Sequence, residues 1–140
     1  MAAALVHYLS FTEAYLDWAL LIVRIILAIV FGAHGWYKSF GKQGFQGSAI
    51  RFQQHGIPFP LFFSYVTSIS QLIAVPLLLA GLLTRWVALI LLIEMTVATW
   101  AKYRENKIFD GADLPMSDWA LCLLLIVLGP GRLSLDALIQ

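Results

Sequence analysis

Cysteine is nearly absent from this chain, in which Cys122 is the one thiol among 140 residues. A single cysteine excludes an intramolecular disulfide and any metal or thiol-exchange site built from several cysteines. Because Cys122 lies inside an apolar stretch, we interpret it as a thiol packed in a hydrophobic core. A haem held by two axial histidines is excluded as well, because His34 has no histidine partner in a second apolar segment.

Charge is also scarce: charged residues make up 12% of the chain and hydrophobic residues 61%. Soluble domains average roughly 25% charged and 45–50% apolar residues. The mean hydropathy of +0.83 also indicates a chain that is more apolar than a soluble domain. A formal net charge of +1, without a basic stripe, excludes nucleic acid as a partner. The composition therefore predicts a membrane protein whose main partner is the lipid bilayer.

The chain contains four apolar runs that are continuous rather than alternating, which favours helices over a β-barrel. A helix needs about 20 residues to cross a hydrocarbon core of about 30 Å. We predict spans at about residues 18–37, 61–83, 86–103 and 117–129. The last run is short, so it either tilts little in a thinned bilayer or includes residues 114–116. The predicted fold is all-α, a four-transmembrane-helix bundle that forms a single domain over residues 1–140.

The connections between the spans set their arrangement. The short turn from Gly81 to Arg85 predicts an antiparallel hairpin of the second and third spans, and the polar loop 39–60 contains a short amphipathic stretch expected to lie on the membrane. Six Lys and Arg residues flank this loop and the loop 102–117, against Arg85 and Arg132 on the opposite side. The positive-inside rule then puts both termini on the non-cytoplasmic side. We expect no cleavable signal peptide, since the start lacks a basic region.

Three polar side chains stand inside the apolar runs: Arg24, Gln71 and Glu94. An ionised side chain at mid-membrane depth costs at least ~2.5 kcal/mol, so it normally faces a partner or a wet cavity. We expect Arg24 and Glu94 to form a buried ion pair beside Gln71, with Arg24 about 6 Å from the centre of its span. Lys38 is about 21 Å from Arg24 along the helix axis, and belongs to the loop side near His34.

Two interpretations of this polar layer remain open. In the structural one, the ion pair fixes the register of the helices and does no chemistry. In the functional one, a polar pocket binds a small amphipathic molecule such as a quinone, with Arg24 or Gln71 donating to its carbonyl oxygens and Glu94 accepting a proton. His34 is either a packed interfacial histidine or a ligand of that pocket.

The stretch from Arg24 to Lys38, which ends in His-Gly-Trp-Tyr-Lys, resembles the first helix of DoxX-type proteins. The resemblance continues through Gln71-Leu72, Pro76 to Gly81, the turn to Arg85, and the run from Gly129 to Asp136. It implies a four-helix protein of the bacterial inner (plasma) membrane. Relatives of this type include the quinone-reducing membrane subunit of thiosulfate:quinone oxidoreductase and a membrane component of a mycobacterial oxidoreductase complex, while many members have no assigned activity.

Together with the polar layer, the resemblance suggests a site with Glu94 as the catalytic residue and a quinone as the non-covalent cofactor. The quinone-binding residues would be Arg24, His34, Lys38 and Gln71, and no metal is expected. One position departs from the family, because Gln71 stands where a glutamate is frequent.

Two classes of function follow. The first is a quinone-binding subunit of an oxidoreductase complex, which receives electrons from a partner protein because this chain has no flavin fingerprint or cysteine cluster. The second is a non-catalytic accessory or assembly subunit of a larger membrane complex. Transport is a third, weaker possibility, since four helices without a repeat suit alternating access poorly.

Overall fold

The computed structural model describes residues 2–42, 44–104 and 111–139, and among these the side chains from Tyr15 onward. Within these ranges all regular structure is helical and no strand occurs. The helices are α1 (Ala2–Phe40), α2 (Gly44–Gln54), α3 (Pro60–Ala80), α4 (Thr84–Arg104), α5 (Asp113–Leu128) and α6 (Leu135–Ile139). The predicted all-α class is therefore confirmed, although α1 begins well before residue 18.

Three of the described helices are long and apolar enough to cross a membrane, namely the Tyr15–Phe40 part of α1, α3 and α4. α5 has 16 residues, which extend about 24 Å and fall short of a hydrocarbon core of about 30 Å. α5 includes residues 114–116, which agrees with the alternative that the last apolar run is extended by these residues. The chain is thus a multi-pass helical membrane protein, and the fourth crossing stays a prediction.

Close packing of α1 on α3 organises the bundle. A Cβ at Gly32 would lie 3.1 Å from Val75 Cγ2, and one at Gly35 would lie 3.0 Å from Leu72 Cγ. Small residues let two helix backbones approach in a bilayer, where apolar side chains gain little by leaving lipid. Gly35 therefore faces the Gln71–Leu72 level of α3, and this contact fixes the register of the two antiparallel helices.

The core lies between α1, α3, α4 and α5, and most of the remaining large apolar side chains face outward, as expected for a protein surrounded by lipid. Its largest fully buried apolar side chains are Leu27, Phe31, Leu78, Leu91, Cys122 and Leu125. The interpretation of Cys122 as a packed core thiol is confirmed, because it is 0% exposed and free.

α2 covers the first half of α3. Ser64 Oγ donates to the Phe45 carbonyl oxygen at 2.7 Å, and the rings of Phe45 and Tyr65 are 4.3 Å apart between centroids. The predicted amphipathic stretch thus forms a helix, with Gly47, Ser48 and Ala49 buried and Arg51 exposed. The inner face of α2 therefore packs on protein, and Ser64 of α3 serves this contact.

The turn between α3 and α4 confirms the predicted hairpin. Gly81 ends α3 with a left-handed φ of 66°, Leu83 has a φ of 51°, and α4 begins at Thr84. The positive φ at position 81 suits glycine, because a Cβ crowds the backbone in the left-handed region. The antiparallel geometry brings Ser70 and Gln71 of α3 next to Glu94 of α4.

Candidate functional site

A partly buried hydrogen-bonded chain of side chains links three helices. Lys38 Nζ on α1 donates to Gln71 Oε1 on α3 at 3.2 Å. Gln71 Nε2 donates to Glu94 Oε2 on α4 at 2.8 Å, and Ser70 Oγ donates to Glu94 Oε1. We call Lys38, Gln71, Glu94 and Ser70 the polar chain.

Gln71 is the centre of the polar chain, and its side chain is 1% exposed. Its amide oxygen faces a cation and its amide nitrogen faces a carboxylate, so both ends of the amide dipole have the favourable partner. Lys38 and Glu94 also interact electrostatically. The geometry therefore separates two opposite charges by one neutral amide, which reduces the cost of holding both inside the bundle.

The polar chain combines a group that can accept a proton with one that donates hydrogen bonds. Glu94 accepts through both oxygens when ionised, and Lys38 keeps two further ammonium protons for another acceptor. Lys38, Ser70 and Glu94 are only partly buried, whereas Gln71 is enclosed. A molecule with a carbonyl oxygen could reach the ends of the polar chain without displacing its central amide.

The expected ion pair between Arg24 and Glu94 is wrong. Arg24 Nη2 donates to the Leu133 carbonyl oxygen, and the carboxylate that interacts electrostatically with Arg24 is Asp136. The reason is the register of α1 on α3, because Gly35 lies level with Gln71 and Arg24 is 11 residues earlier in the sequence, about 16 Å along the axis. Along the bundle axis, Arg24 therefore lies at the height of Gly81 and not at the height of Glu94.

Arg24 holds the C-terminal segment against the α3–α4 turn. Asp136 accepts from the Leu83 and Thr84 amides at 2.7 and 2.9 Å, and its own amide donates to the Gly81 carbonyl oxygen at 2.9 Å. Arg24 is 0% exposed, and its Nε and Nη1 have no partner among the described residues. This arrangement places Arg24 in the architecture of the bundle and away from the polar chain.

His34 also lies outside the polar chain. Its side chain is exposed, and its Nδ1 donates to the Val30 carbonyl oxygen of the same helix at 2.8 Å. It interacts electrostatically with Asp118 of α5. The structure thus brings together Lys38, Gln71 and Glu94 of the five residues named from the sequence, and leaves out Arg24 and His34.

Two polar residues escaped the sequence-based prediction. Ser70 was not among the candidate residues, although its position next to Gln71 was a signal that it could reach the same partner. Asp118 is 5% exposed, and it was likewise not among the candidate residues. Among the described residues no group of three or more His, Cys, Asp or Glu side chains is arranged to hold a metal ion.

The fold and the polar chain define a class: a small multi-pass helical membrane protein in which a glutamine links a lysine and a glutamate of different helices. The DoxX family model matches residues 19–104, more than half of the chain. The chain therefore belongs to the DoxX family, as its motifs indicated. The matched region contains all four residues of the polar chain, and the C-terminal segment that contacts Arg24 lies beyond it.

Two bacterial proteins are similar to this chain over most of their length. An uncharacterised protein of Haemophilus influenzae is 36% identical over 129 residues, which cover 87% of this chain and 83% of that protein. An uncharacterised membrane protein of Mycobacterium tuberculosis is 32% identical over 131 residues, covering 84% and 79%. No solved protein structure matches the chain significantly.

Proposed function

We propose that this DoxX-family protein is a membrane subunit of an oxidoreductase complex, which binds a quinone at the polar chain and receives electrons from a partner protein. The observation that supports this is the connection from Lys38 through the buried Gln71 to Glu94. Buried ionisable groups in membranes are costly and usually mark ligand or proton pathways.

The chemistry of a quinone fits the groups at the two ends of the polar chain. Reduction of a quinone to a quinol takes two electrons, which the partner protein would supply, and two protons. Lys38 would donate a hydrogen bond to a carbonyl oxygen, and Glu94 would pass protons to it. Ser70 would keep the carboxylate oriented, and Gln71 would hold Lys38 and Glu94 at a fixed separation.

Access from the bilayer suits a lipid-soluble ligand. Ile69 and Ile73, which flank Ser70 and Gln71 on α3, are 48% and 54% exposed on the outer face of the helix. A quinone dissolved in lipid would therefore reach Ser70 and Glu94 sideways, along an apolar surface. The topology that we propose has both termini on the non-cytoplasmic side of a bacterial inner membrane, in agreement with the loop charges.

An accessory or assembly role is the second candidate, and one observation favours it. Each member of the polar chain already has a hydrogen-bond partner inside the protein. Satisfied polar groups of this kind also hold helices together in the absence of any ligand. In that role the exposed apolar faces would contact other subunits as well as lipid.

Glu94→Gln separates the two candidates. The variant keeps the shape and the acceptor for Ser70 but removes the group that takes up a proton. If the protein handles quinone, the purified variant complex should fold and assemble, yet quinone reduction with its native electron donor should fall by about 100-fold, the usual size of an acid–base contribution. Unchanged reduction per folded complex, together with a lowered Tm, would contradict the redox proposal and favour the assembly role.

Ser39→Ala is a suitable control. The Ser39 hydroxyl is buried without a partner among the described residues, so its loss changes no described contact of the polar chain. Quinone reduction by this variant should equal that of the unmodified protein.

A further inference from the structure

An open cleft of about 480 Å³ lies at the opposite end of the bundle from α2. The ends of the helices form it: the start of the span in α1, the start of α4, the end of α5 and the turn that follows α5. Its polar lining consists mainly of Asp17, Arg85, Arg132 and Asp136. Neither the polar chain nor the proposed quinone chemistry uses this cleft.

The two carboxylates of the cleft are engaged by backbone amides. Asp17 Oδ1 accepts from the Arg132 amide at 2.7 Å. Both oxygens of Asp136 accept from the first amides of α4. These hydrogen bonds build the wall of the cleft and hold both carboxylates against the backbone.

The two arginine side chains have no such engagement. Arg85 and Arg132 are exposed, and neither guanidinium forms a hydrogen bond or salt bridge with a described residue. Arg85 is nevertheless positioned, because a Cβ at Gly129 would lie 3.3 Å from its Nη2. The guanidinium therefore rests against the backbone of the Gly129 turn, with its donors open to the cleft.

We propose that this cleft binds a phosphate group, and that the group belongs to the head group of a phospholipid. Guanidinium groups present paired donors that match phosphate oxygens. The apolar lining favours a lipid over free phosphate, since Leu16, Leu20, Leu83 and Leu128 surround the arginines. Trp86, which is 67% exposed beside Arg85, is typical of a membrane–water interface, where a head group would lie.

The test uses the 140-residue protein in detergent after its lipid has been removed. The protein is titrated with dioleoyl phosphatidylglycerol, and native mass spectrometry counts the bound lipid molecules. Dioleoylglycerol has the same acyl chains without the phosphate, and inorganic phosphate supplies the anion without the chains. We expect phosphatidylglycerol to bind, dioleoylglycerol to bind about tenfold more weakly or less, and inorganic phosphate at high concentration to compete.

Arg85→Gln combined with Arg132→Gln should raise the Kd for phosphatidylglycerol about tenfold or more. Arg104→Gln is the matched control, because Arg104 ends the same helix and lies over a tryptophan ring, Trp100, at 5.0 Å. The control should change the Kd by less than about twofold. If the double variant fails to fold, the two single variants provide the same test, each with a rise of about threefold.

The outcomes are distinct. Equal retention of dioleoylglycerol, or an unchanged Kd in the double variant, overturns the proposal. A third outcome is that inorganic phosphate binds through both arginines while the lipid binds no better than dioleoylglycerol. That outcome assigns the site to a soluble phosphate compound and overturns the lipid as its occupant. A failure of quinone binding leaves this site untouched, because the cleft and the polar chain share no residue.

Discussion

Arg24 and Lys38 are two cations on the same helix, about 21 Å apart along its axis, and their surroundings differ. Arg24 is fully enclosed and donates to a backbone carbonyl of the C-terminal segment. Lys38 is partly buried and donates to a side-chain amide that leads to a carboxylate. Backbone carbonyls do not titrate, so the first contact holds structure, whereas the second links Lys38 through Gln71 to an ionisable carboxylate.

The same contrast separates the two ends of the bundle. At the Arg24 end, Asp136 caps α4 and Gly81 allows the guanidinium to approach the turn. At the Lys38 end, Gly35 brings α1 against Gln71, so that polar side chains from three helices meet. Changes at the Arg24 end should therefore alter mainly the stability of the bundle, whereas changes at the Lys38 end should also alter the contacts of Glu94.

The largest expected effect is that of Gly81→Ala. Gly81 has a φ of +66°, and a Cβ there would clash with Arg24 Nη1. Left-handed strain and overpacking together should lower the free energy of unfolding by about 3 kcal/mol, measured by thermal or denaturant unfolding in detergent. Gly56→Ala is the matched control, because Gly56 has a φ of +73° and nothing within 4 Å of a Cβ. An equal loss of unfolding free energy in both variants would mean that the close approach of Arg24 to Gly81 adds nothing to the cost of the substitution.

A smaller loss is expected from Gln71→Leu, at the other end of the comparison. The variant leaves Lys38 Nζ and Glu94 Oε2 without their shared partner, which should cost about 2 kcal/mol in the same unfolding experiment. If a quinone binds at the polar chain as we propose, the variant should also bind it more weakly, because the spacing between Lys38 and Glu94 is no longer fixed. Ile73→Leu, on the exposed face of α3, should change stability by less than about 0.5 kcal/mol. A similar result for both variants would show that the polar chain contributes nothing to folding.

The smallest effects are coupling energies, and they distinguish the two cations most directly. A double-mutant cycle with Lys38→Met and Glu94→Gln should give a coupling of about 1 kcal/mol, because the two residues share Gln71. The cycle with Arg24→Met and Glu94→Gln should give less than about 0.5 kcal/mol, as expected for residues without a common partner. A larger coupling energy for Arg24 and Glu94 than for Lys38 and Glu94 would support the ion pair that the sequence predicted.

The sequence by itself determined the helical membrane class, the three long spans, the α3–α4 hairpin and the family. These features depend on local properties: the length of an apolar run, a glycine at a turn, and the composition of the chain. It also identified Gln71 and Glu94 as buried polar groups that need partners, because the cost of burying a charge does not depend on the neighbouring helix. It assigned Lys38 to the loop side near His34, away from these two residues.

Only the tertiary structure decided which groups became partners. Counting residues from span ends put Arg24 and Glu94 at one level, but the contacts of Gly32 and Gly35 with α3 displace Arg24 toward Gly81. The return of the C-terminal segment then gave Arg24 a backbone acceptor and left Glu94 to Ser70 and Gln71. Such pairings depend on helix register and on residues more than a hundred positions apart, as in the contact between Arg24 and Leu133, and no local pattern in the sequence records them.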